Sequence, residues 1–162
     1  YIYNIPSNVK NSISVALMKK LYNKFDNIVG MKDSSMDFMT FLEHSEACGP
    51  ECSMFIGNDG QILPSLMWGG SGAVAASSNI FPKEVTEIYE CFIKGDIAGA
   101  KKAQQKIIKL RSILRSYPPM SAHKKALGFR GIEAGSPRTP LRSLNSAEAD
   151  KLLLQLQEIG LL

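Results

Sequence analysis

Lys32 and Tyr3 are the residues whose types and positions best suit covalent chemistry in this sequence. Alternation along the second apolar segment places Gly30 and Lys32 on one face, with Val29 and Met31 on the other. A lysine at the end of such a segment is unusual, because an ammonium removed from water is costly unless it is paired or neutral. A neutral amine attacks carbonyl carbons to form Schiff bases, which makes Lys32 a candidate nucleophile. The alternative is a lysine that extends from a strand end into water.

Tyr3 ends the preceding apolar segment and faces the same way as Tyr1. Neighbouring strands lie roughly 4.8 Å apart, so a phenol at the end of one strand approaches an amine at the end of the next. A phenol in that position is able to pass protons to and from a carbinolamine or a substrate hydroxyl. A purely packing role for the aromatic ring is the alternative.

Apolar segments alternate with amphipathic helical segments over the first part of the chain, which predicts an α/β fold built from strand–helix units. Their short spacing suits crossover connections between parallel strands. The predicted strands are Tyr1–Ile5, Asn27–Lys32, Cys52–Gly57 and Ala73–Ser77, and the predicted helices between and after them are 14–25, 37–48, 62–68 and 82–94.

Two sheet architectures fit these strand–helix units: an open doubly wound sheet, or part of an eight-stranded (β/α)8 TIM barrel. A first residue that lies inside an apolar run favours the barrel, and with it a chain that is one piece of a larger protein. We therefore expect residues 1–95 to form the C-terminal half of a barrel, strands five to eight. Residues 96–162 are expected to form a C-terminal helical region with helices at 96–115, 121–127 and from 145 or 146 to 159.

Composition and charge restrict the partners of this chain. With 162 residues, 44% of them hydrophobic, it has the material for one globular domain. Three cysteines are too few to staple a domain of this size, so we expect free thiols and a cytoplasmic location. The sequence has no apolar stretch long enough for a membrane span.

The basic residues are concentrated in one stretch. Residues 101–130 hold nine lysines and arginines and no acidic residue, yet they lack the aromatic spacing of nucleic-acid readers, so no nucleic-acid partner is expected. His44, Cys48 and Cys52 are spaced by four residues, but Gly49 and Pro50 interrupt any shared helix face. No metal site is expected from them.

Four short motifs follow one another in a characteristic order, with a Pro-Arg-x-Pro-Leu segment in the helical tail. The motifs are Tyr3-Asn4-Ile5-Pro6, Gly30-Met31-Lys32-Asp33-Ser34-Ser35, Gly57-Asn58-Asp59 and Gly69-Gly70-Ser71-Gly72-Ala73-Val74. In this order they resemble the landmarks of the dihydrodipicolinate synthase/N-acetylneuraminate lyase family.

The resemblance implies a class I pyruvate-dependent aldolase or synthase that acts on pyruvate and an aldehyde, without a metal or an organic cofactor. It implies that Lys32 forms the imine with pyruvate and that Tyr3 handles protons. Gly57 and Asp59 match a loop that contacts the hydroxylated part of the substrate in sugar-acid lyases. Val74 matches a position whose backbone carbonyl lies near the active site. A homotetramer is also implied.

The departures from the family pattern favour one substrate class. Asn8 stands where dihydrodipicolinate synthases commonly carry an arginine for a substrate carboxylate. The run that contains Ser34, together with the Gly-Asn-Asp turn, looks closer to 2-keto-3-deoxy sugar-acid aldolases, with Ser34 as a candidate substrate-binding hydroxyl. We expect that activity; the alternatives are a dihydrodipicolinate synthase and a non-catalytic 2-keto-acid-binding relative. The family's first four strands supply further site residues, so this chain alone is expected to be inactive.

Overall fold

The computed structural model describes residues 1–162 and contains one sheet of four parallel strands. The strands pair in chain order, β1-β2-β3-β4, so each connection crosses over through helical structure before the next strand begins. The predicted α/β class with parallel strands is confirmed. The strands are β1 (Ile2–Asn4), β2 (Gly30–Asp33), β3 (Ser53–Ile56) and β4 (Gly72–Ala73).

Eight α-helices surround and extend this sheet. Side chains cap several of them: Ser14 accepts from the backbone N–H of Leu17, and Asp37 accepts from that of Met39. The helices are α1 (Pro6–Val9), α2 (Val15–Lys24), α3 (Phe38–Cys48), α4 (Ile62–Met67), α5 (Pro82–Ile93), α6 (Ile97–Arg115), α7 (Ser121–Phe129) and α8 (Ser146–Glu158), with 3-10 turns at Asp59–Gln61 and Ser77–Asn79.

Three local features differ from the sequence prediction. β2 runs from Gly30 to Asp33 rather than from Asn27 to Lys32. The fourth strand ends at Ala73 rather than Ser77, because the Asp59 carboxylate accepts hydrogen bonds from the backbone and hydroxyl of Ser77 and holds that residue in a turn. The short α1 was not predicted; it begins at Pro6, whose fixed φ and missing N–H suit the first helical position.

The sheet has one face against the helices and one face open. Met31, Met54 and Ile56 point to the helices and are almost completely buried. Tyr3 and Val74 belong to the other face and are about half exposed. Since side chains alternate along a strand, a strand as short as β2 contributes both to the core, through Met31, and to the open face, through Lys32.

One hydrophobic core joins the strands to the later helices. The cluster of 24 buried residues includes Met31 and Ile56 from the sheet and Ile107, Leu110 and Leu152 from α6 and α8. The division at residue 95 into a half-barrel and a helical region remains a prediction. No helix of this chain combines the length and apolarity needed to cross a bilayer.

Helix α6 offers a matched test of this packing. Ile107 is 0% exposed, whereas its neighbour Ile108 is 44% exposed. We expect Ile107→Ala to lower the free energy of unfolding by about 2–5 kcal/mol, because it leaves a cavity in the shared core. Ile108→Ala is the control and is expected to change it by less than about 1 kcal/mol. Urea unfolding checks both; equal losses would contradict the assignment of α6 to the core.

Candidate active site

Tyr3 and Lys32 lie side by side at the carboxyl ends of β1 and β2. They are register partners across the two parallel strands. The Lys32 Nζ lies 4.1 Å from the centroid of the Tyr3 ring, within the range of a cation–π attraction. Ser34 Oγ donates a long hydrogen bond of 3.5 Å to the Tyr3 hydroxyl. The strand ends therefore bring an amine, a phenol and an alcohol together on the open face of the sheet.

The surroundings of Tyr3 shift its proton affinity. Burial raises the pKa of the Tyr3 phenol, but the hydrogen bond from Ser34 and the nearby Lys32 ammonium lower it by more. The net effect is a pKa below the ordinary value of 10.0. Tyr3 therefore releases its proton more readily than an isolated phenol, a property suited to proton transfer.

A buried polar pair supports this arrangement from the opposite face of the sheet. Asn4 Nδ2 donates to Asp33 Oδ1 at 2.7 Å, and each residue is only 1% exposed. Ser35 Oγ donates to the other Asp33 oxygen at 2.7 Å, and the Ile13 backbone N–H donates to Asn4 Oδ1. Sequence reasoning missed this pair. The available signal was a polar residue directly after Tyr3 and directly after Lys32 in otherwise apolar strands.

Two glycines leave room on the open face. A Cβ at Gly30 would lie 2.1 Å from the carbonyl oxygen of Ser53 and 2.7 Å from the Tyr1 ring. A Cβ at Gly57 would lie 1.9 Å from Ser34 Oγ. Any side chain at Gly57 would therefore displace the hydroxyl that contacts Tyr3.

An open groove of about 470 Å³ lies over these strand ends. Five of the six site residues predicted from the sequence line it: Tyr3, Lys32, Ser34, Gly57 and Val74.

Three further polar residues line the groove and were not predicted: Ser7, Asn79 and Arg115. They come from α1, a 3-10 turn and the end of α6, elements that reach the groove only through tertiary packing. No local sequence signal marks them.

Asp59, the sixth predicted residue, does not line the groove. Its carboxylate is buried and accepts hydrogen bonds from the backbone N–H, at 3.0 Å, and the hydroxyl of Ser77. Gln104 Nε2 donates to the Asp59 carbonyl oxygen at 2.8 Å. Asp59 thus ties the loop after β3 to the loop after β4, and its contact with substrate stays a prediction.

The His44, Cys48 and Cys52 series does not assemble a metal site. The ring nitrogens of His44 lie 2.7 Å from the Thr40 carbonyl oxygen and 3.0 Å from that of Ile13. No group of three or more histidine, cysteine or acidic side chains is placed to hold a metal ion. The cysteines are free, and burial, with the neighbouring Cys48, raises the pKa of Cys52 to about 12.

Comparison with known proteins decides the family. The model of the dihydrodipicolinate synthetase family matches residues 1–159. The chain belongs to this family. Its four strands and their helices are accordingly the predicted second half of a (β/α)8 barrel, followed by C-terminal helices.

Curated relatives are similar in sequence to this chain along nearly all of its length. An uncharacterized DapA-like lyase of Halobacterium salinarum is 35% identical over 162 residues, covering 100% of this chain and 53% of the relative. A 4-hydroxy-tetrahydrodipicolinate synthase of Lachnoclostridium phytofermentans is 32% identical over 161 residues, covering 99% of this chain and 55% of the relative.

A solved structure of a family member is similar to this chain over nearly all of the chain's length. The crystal structure of a dihydrodipicolinate synthase from Bacillus anthracis superimposes with a TM-score of 0.88 at 30% identity, covering 96% of this chain and 53% of that one. The chain thus spans about half the length of the curated relatives it matches.

The lowered pKa of Tyr3 is measurable by tyrosinate absorbance. We expect Lys32→Met to raise the pKa of Tyr3, because it removes the ammonium that stabilises the phenolate. The difference spectrum against Tyr3→Phe isolates this group. Lys20→Met removes an exposed lysine of α2 and is the control expected to leave the Tyr3 pKa unchanged. An equal shift in both variants would contradict the contact.

The space at Gly57 gives a second prediction. Gly57→Ala is expected to lower the free energy of unfolding by about 1–3 kcal/mol, because its Cβ overlaps Ser34 Oγ. Gly128→Ala is the control: nothing lies within 4 Å of its Cβ, and the helix gains up to about 1 kcal/mol. Urea unfolding compares them; a neutral Gly57→Ala would show that Ser34 moves aside freely.

Proposed function

We propose that this chain carries the Schiff-base lysine and a proton-transfer group of a pyruvate-dependent class I aldolase or lyase. The observation that carries the proposal is the pairing of Lys32 with Tyr3 at the ends of adjacent strands, with Nζ 4.1 Å from the ring. Membership of the dihydrodipicolinate synthetase family supports it. Because the chain spans about half of its relatives, the complete site includes groups from the other half of the barrel.

The chemistry begins with the amine. Lys32 Nζ in its neutral form attacks the keto carbon of pyruvate, and the carbinolamine loses water to give a protonated imine. Loss of a proton from the methyl carbon gives an enamine, because the imine nitrogen accepts the electron pair. The enamine carbon then bonds to the aldehyde carbon, and the aldehyde oxygen takes up a proton. Water hydrolyses the imine, releasing product and Lys32; cleavage is the reverse.

Tyr3 is the residue that we propose to carry protons in these reaction steps. Its phenol lies beside the amine, so it is in reach of the carbinolamine oxygen that leaves as water and of the oxygen that forms on the aldehyde carbon. Its lowered pKa eases the release of that proton, and Ser34 holds the hydroxyl in place.

We propose a 2-keto-3-deoxy sugar acid as the substrate that is cleaved to pyruvate and an aldehyde. Hydroxyl and amide groups of Ser7, Ser34 and Asn79 line the groove and suit a hydroxylated chain. Asn8 supplies an amide, hydrogen-bonded to the Ser7 hydroxyl at 2.9 Å, where dihydrodipicolinate synthases commonly have an arginine.

A dihydrodipicolinate synthase, condensing pyruvate with aspartate semialdehyde, is the second candidate. The named relatives at 32% and 30% identity are synthases of this kind, which favours it. The homotetramer implied by the family resemblance and the cytoplasmic location expected from the cysteine content also remain predictions.

Borohydride trapping tests the proposal. The native polypeptide that carries residues 1–162 is incubated with pyruvate and reduced, and the adduct is located by peptide mass spectrometry. We expect it on Lys32, since reduction converts the imine to a stable secondary amine. Lys32→Ala is expected to give no adduct and to lose activity by several orders of magnitude, whereas Lys20→Ala is expected to behave as wild type.

The same samples separate the alternatives. Reversible pyruvate binding without an adduct would overturn the aldolase proposal and favour a binding protein. Condensation with aspartate semialdehyde in preference to glyceraldehyde would favour the synthase over the sugar-acid aldolase.

A further inference from the structure

His44 is buried between two carbonyl oxygens that come from different parts of the chain. It lies on α3 and is only 1% exposed. Its Nδ1 lies 2.7 Å from the carbonyl oxygen of Thr40, one turn earlier in the same helix, and its Nε2 lies 3.0 Å from that of Ile13, just before α2. A carbonyl oxygen only accepts hydrogen bonds, and a neutral imidazole carries a single N–H. Only the doubly protonated imidazolium therefore donates to both.

Ile13 connects this ring to the candidate active site. Its backbone N–H donates to Asn4 Oδ1 at 3.1 Å, and Asn4 Nδ2 donates to Asp33 Oδ1 at 2.7 Å. Asn4 and Asp33 directly follow the residues that carry the phenol and the amine of the site, at the ends of β1 and β2. A series of hydrogen bonds thus runs from α3 to the strand ends, and the imidazole is its outermost member.

The charges around His44 leave its protonation to the balance between burial and hydrogen bonding. No carboxylate contacts the ring, since the one ion pair of the chain joins Arg142 to Glu148. The ionisable groups on the surrounding elements are Lys10 before α2, Lys19, Lys20, Tyr22 and Lys24 on α2, Asp37 at the start of α3, Glu43, Glu46 and Cys48 on α3, Lys32 and Asp33 on β2, and Glu51 and Cys52 before β3. Burial favours the neutral ring, whereas the two carbonyl oxygens favour the charged one. Histidine suits such a position, because its charge changes most readily near neutral pH.

We propose that His44 is a positioning residue whose second proton holds the strand ends of the candidate site in place. The imidazolium ties Ile13 to α3 through Nε2. A neutral ring keeps the shorter bond to Thr40, which lies within its own helix, and releases Ile13. The bond from Ile13 to Asn4 then loses its support, and the phenol–amine pair is held less firmly. The inference rests on the proposed function and adds a proton-dependent control to the same site.

Hydrogen exchange in the native polypeptide tests whether the ring holds Ile13, without reference to catalysis. The protonation of His44 is followed across pH by nitrogen NMR of the imidazole and assigned by the loss of its signals in His44→Gln. We expect two N–H groups on the ring at low pH and one at high pH. Over the same transition, the protection factor of the peptide that contains Ile13 is expected to fall roughly three- to tenfold, as for one lost hydrogen bond.

Two substitutions separate the donor from the charge. His44→Gln places an amide N–H near the position of Nε2 at every pH, so it is expected to keep wild-type protection of Ile13 and to remove the transition. His44→Leu fills the space without a donor and is expected to show the low protection at every pH. Glu43→Gln, an exposed charge change on the same helix, is the control expected to behave as wild type.

The catalytic readout is the ratio of wild-type kcat to that of His44→Leu, because the titrations of groups common to both enzymes cancel in it. We expect a ratio of roughly three to ten while the wild-type ring is charged and about one after it loses its proton. The KM of pyruvate is expected to stay unchanged, since His44, Ile13, Asn4 and Asp33 do not line the groove.

A ratio that does not change with pH would show a structural role alone and overturn the inference. A ring whose protonation does not change across about pH 5–8, or protection of Ile13 that does not follow the ring, would overturn it equally. Absence of the borohydride adduct on Lys32 would instead overturn the aldolase proposal, while hydrogen exchange and the ring spectrum would still decide whether His44 holds Ile13.

Discussion

The hydrogen bond between Asn4 and Asp33 is the constraint on which the site depends. Both residues are buried, and they are register partners at the ends of β1 and β2. A hydrogen bond to a charged group contributes about 1.5–3 kcal/mol, and a slip of one residue would break this bond and leave one carboxylate oxygen of Asp33 without its donor. Since Tyr3 and Lys32 immediately precede these residues, the same bond that fixes the register also places the phenol beside the amine.

The two faces of the sheet have different roles, which explains how such short strands form both the core and the candidate site. Residues that point to the helices bury apolar or mutually satisfied polar groups, and those on the open face carry the chemistry. Gly30 and Gly57 contribute because they have no side chain. The Tyr1 ring occupies the space over Gly30, and the Ser34 hydroxyl occupies the space over Gly57. Stability and reactivity are therefore encoded at alternate positions of the same segments.

Sequence reasoning reached the strand order and the Lys32–Tyr3 pair because period-two alternation and crossover spacing are local signals. It ended β4 too late, since a side chain from another loop, Asp59, determines where that strand stops. For the same reason it missed Arg115, whose place in the groove is set by the packing of a long helix. Residues placed by motif or period were predictable, and those placed by tertiary contacts were not.

Helix α6 contributes both to the hydrophobic core and to the groove. Its inner face buries Ile107, Leu110 and Leu114 in the core shared with the strands. The residue after Leu114 is Arg115, so the packing that anchors the end of the helix also fixes where the guanidinium enters the groove. A change in the packing of α6 would therefore move this cation relative to Lys32, even though the strand ends stayed in place.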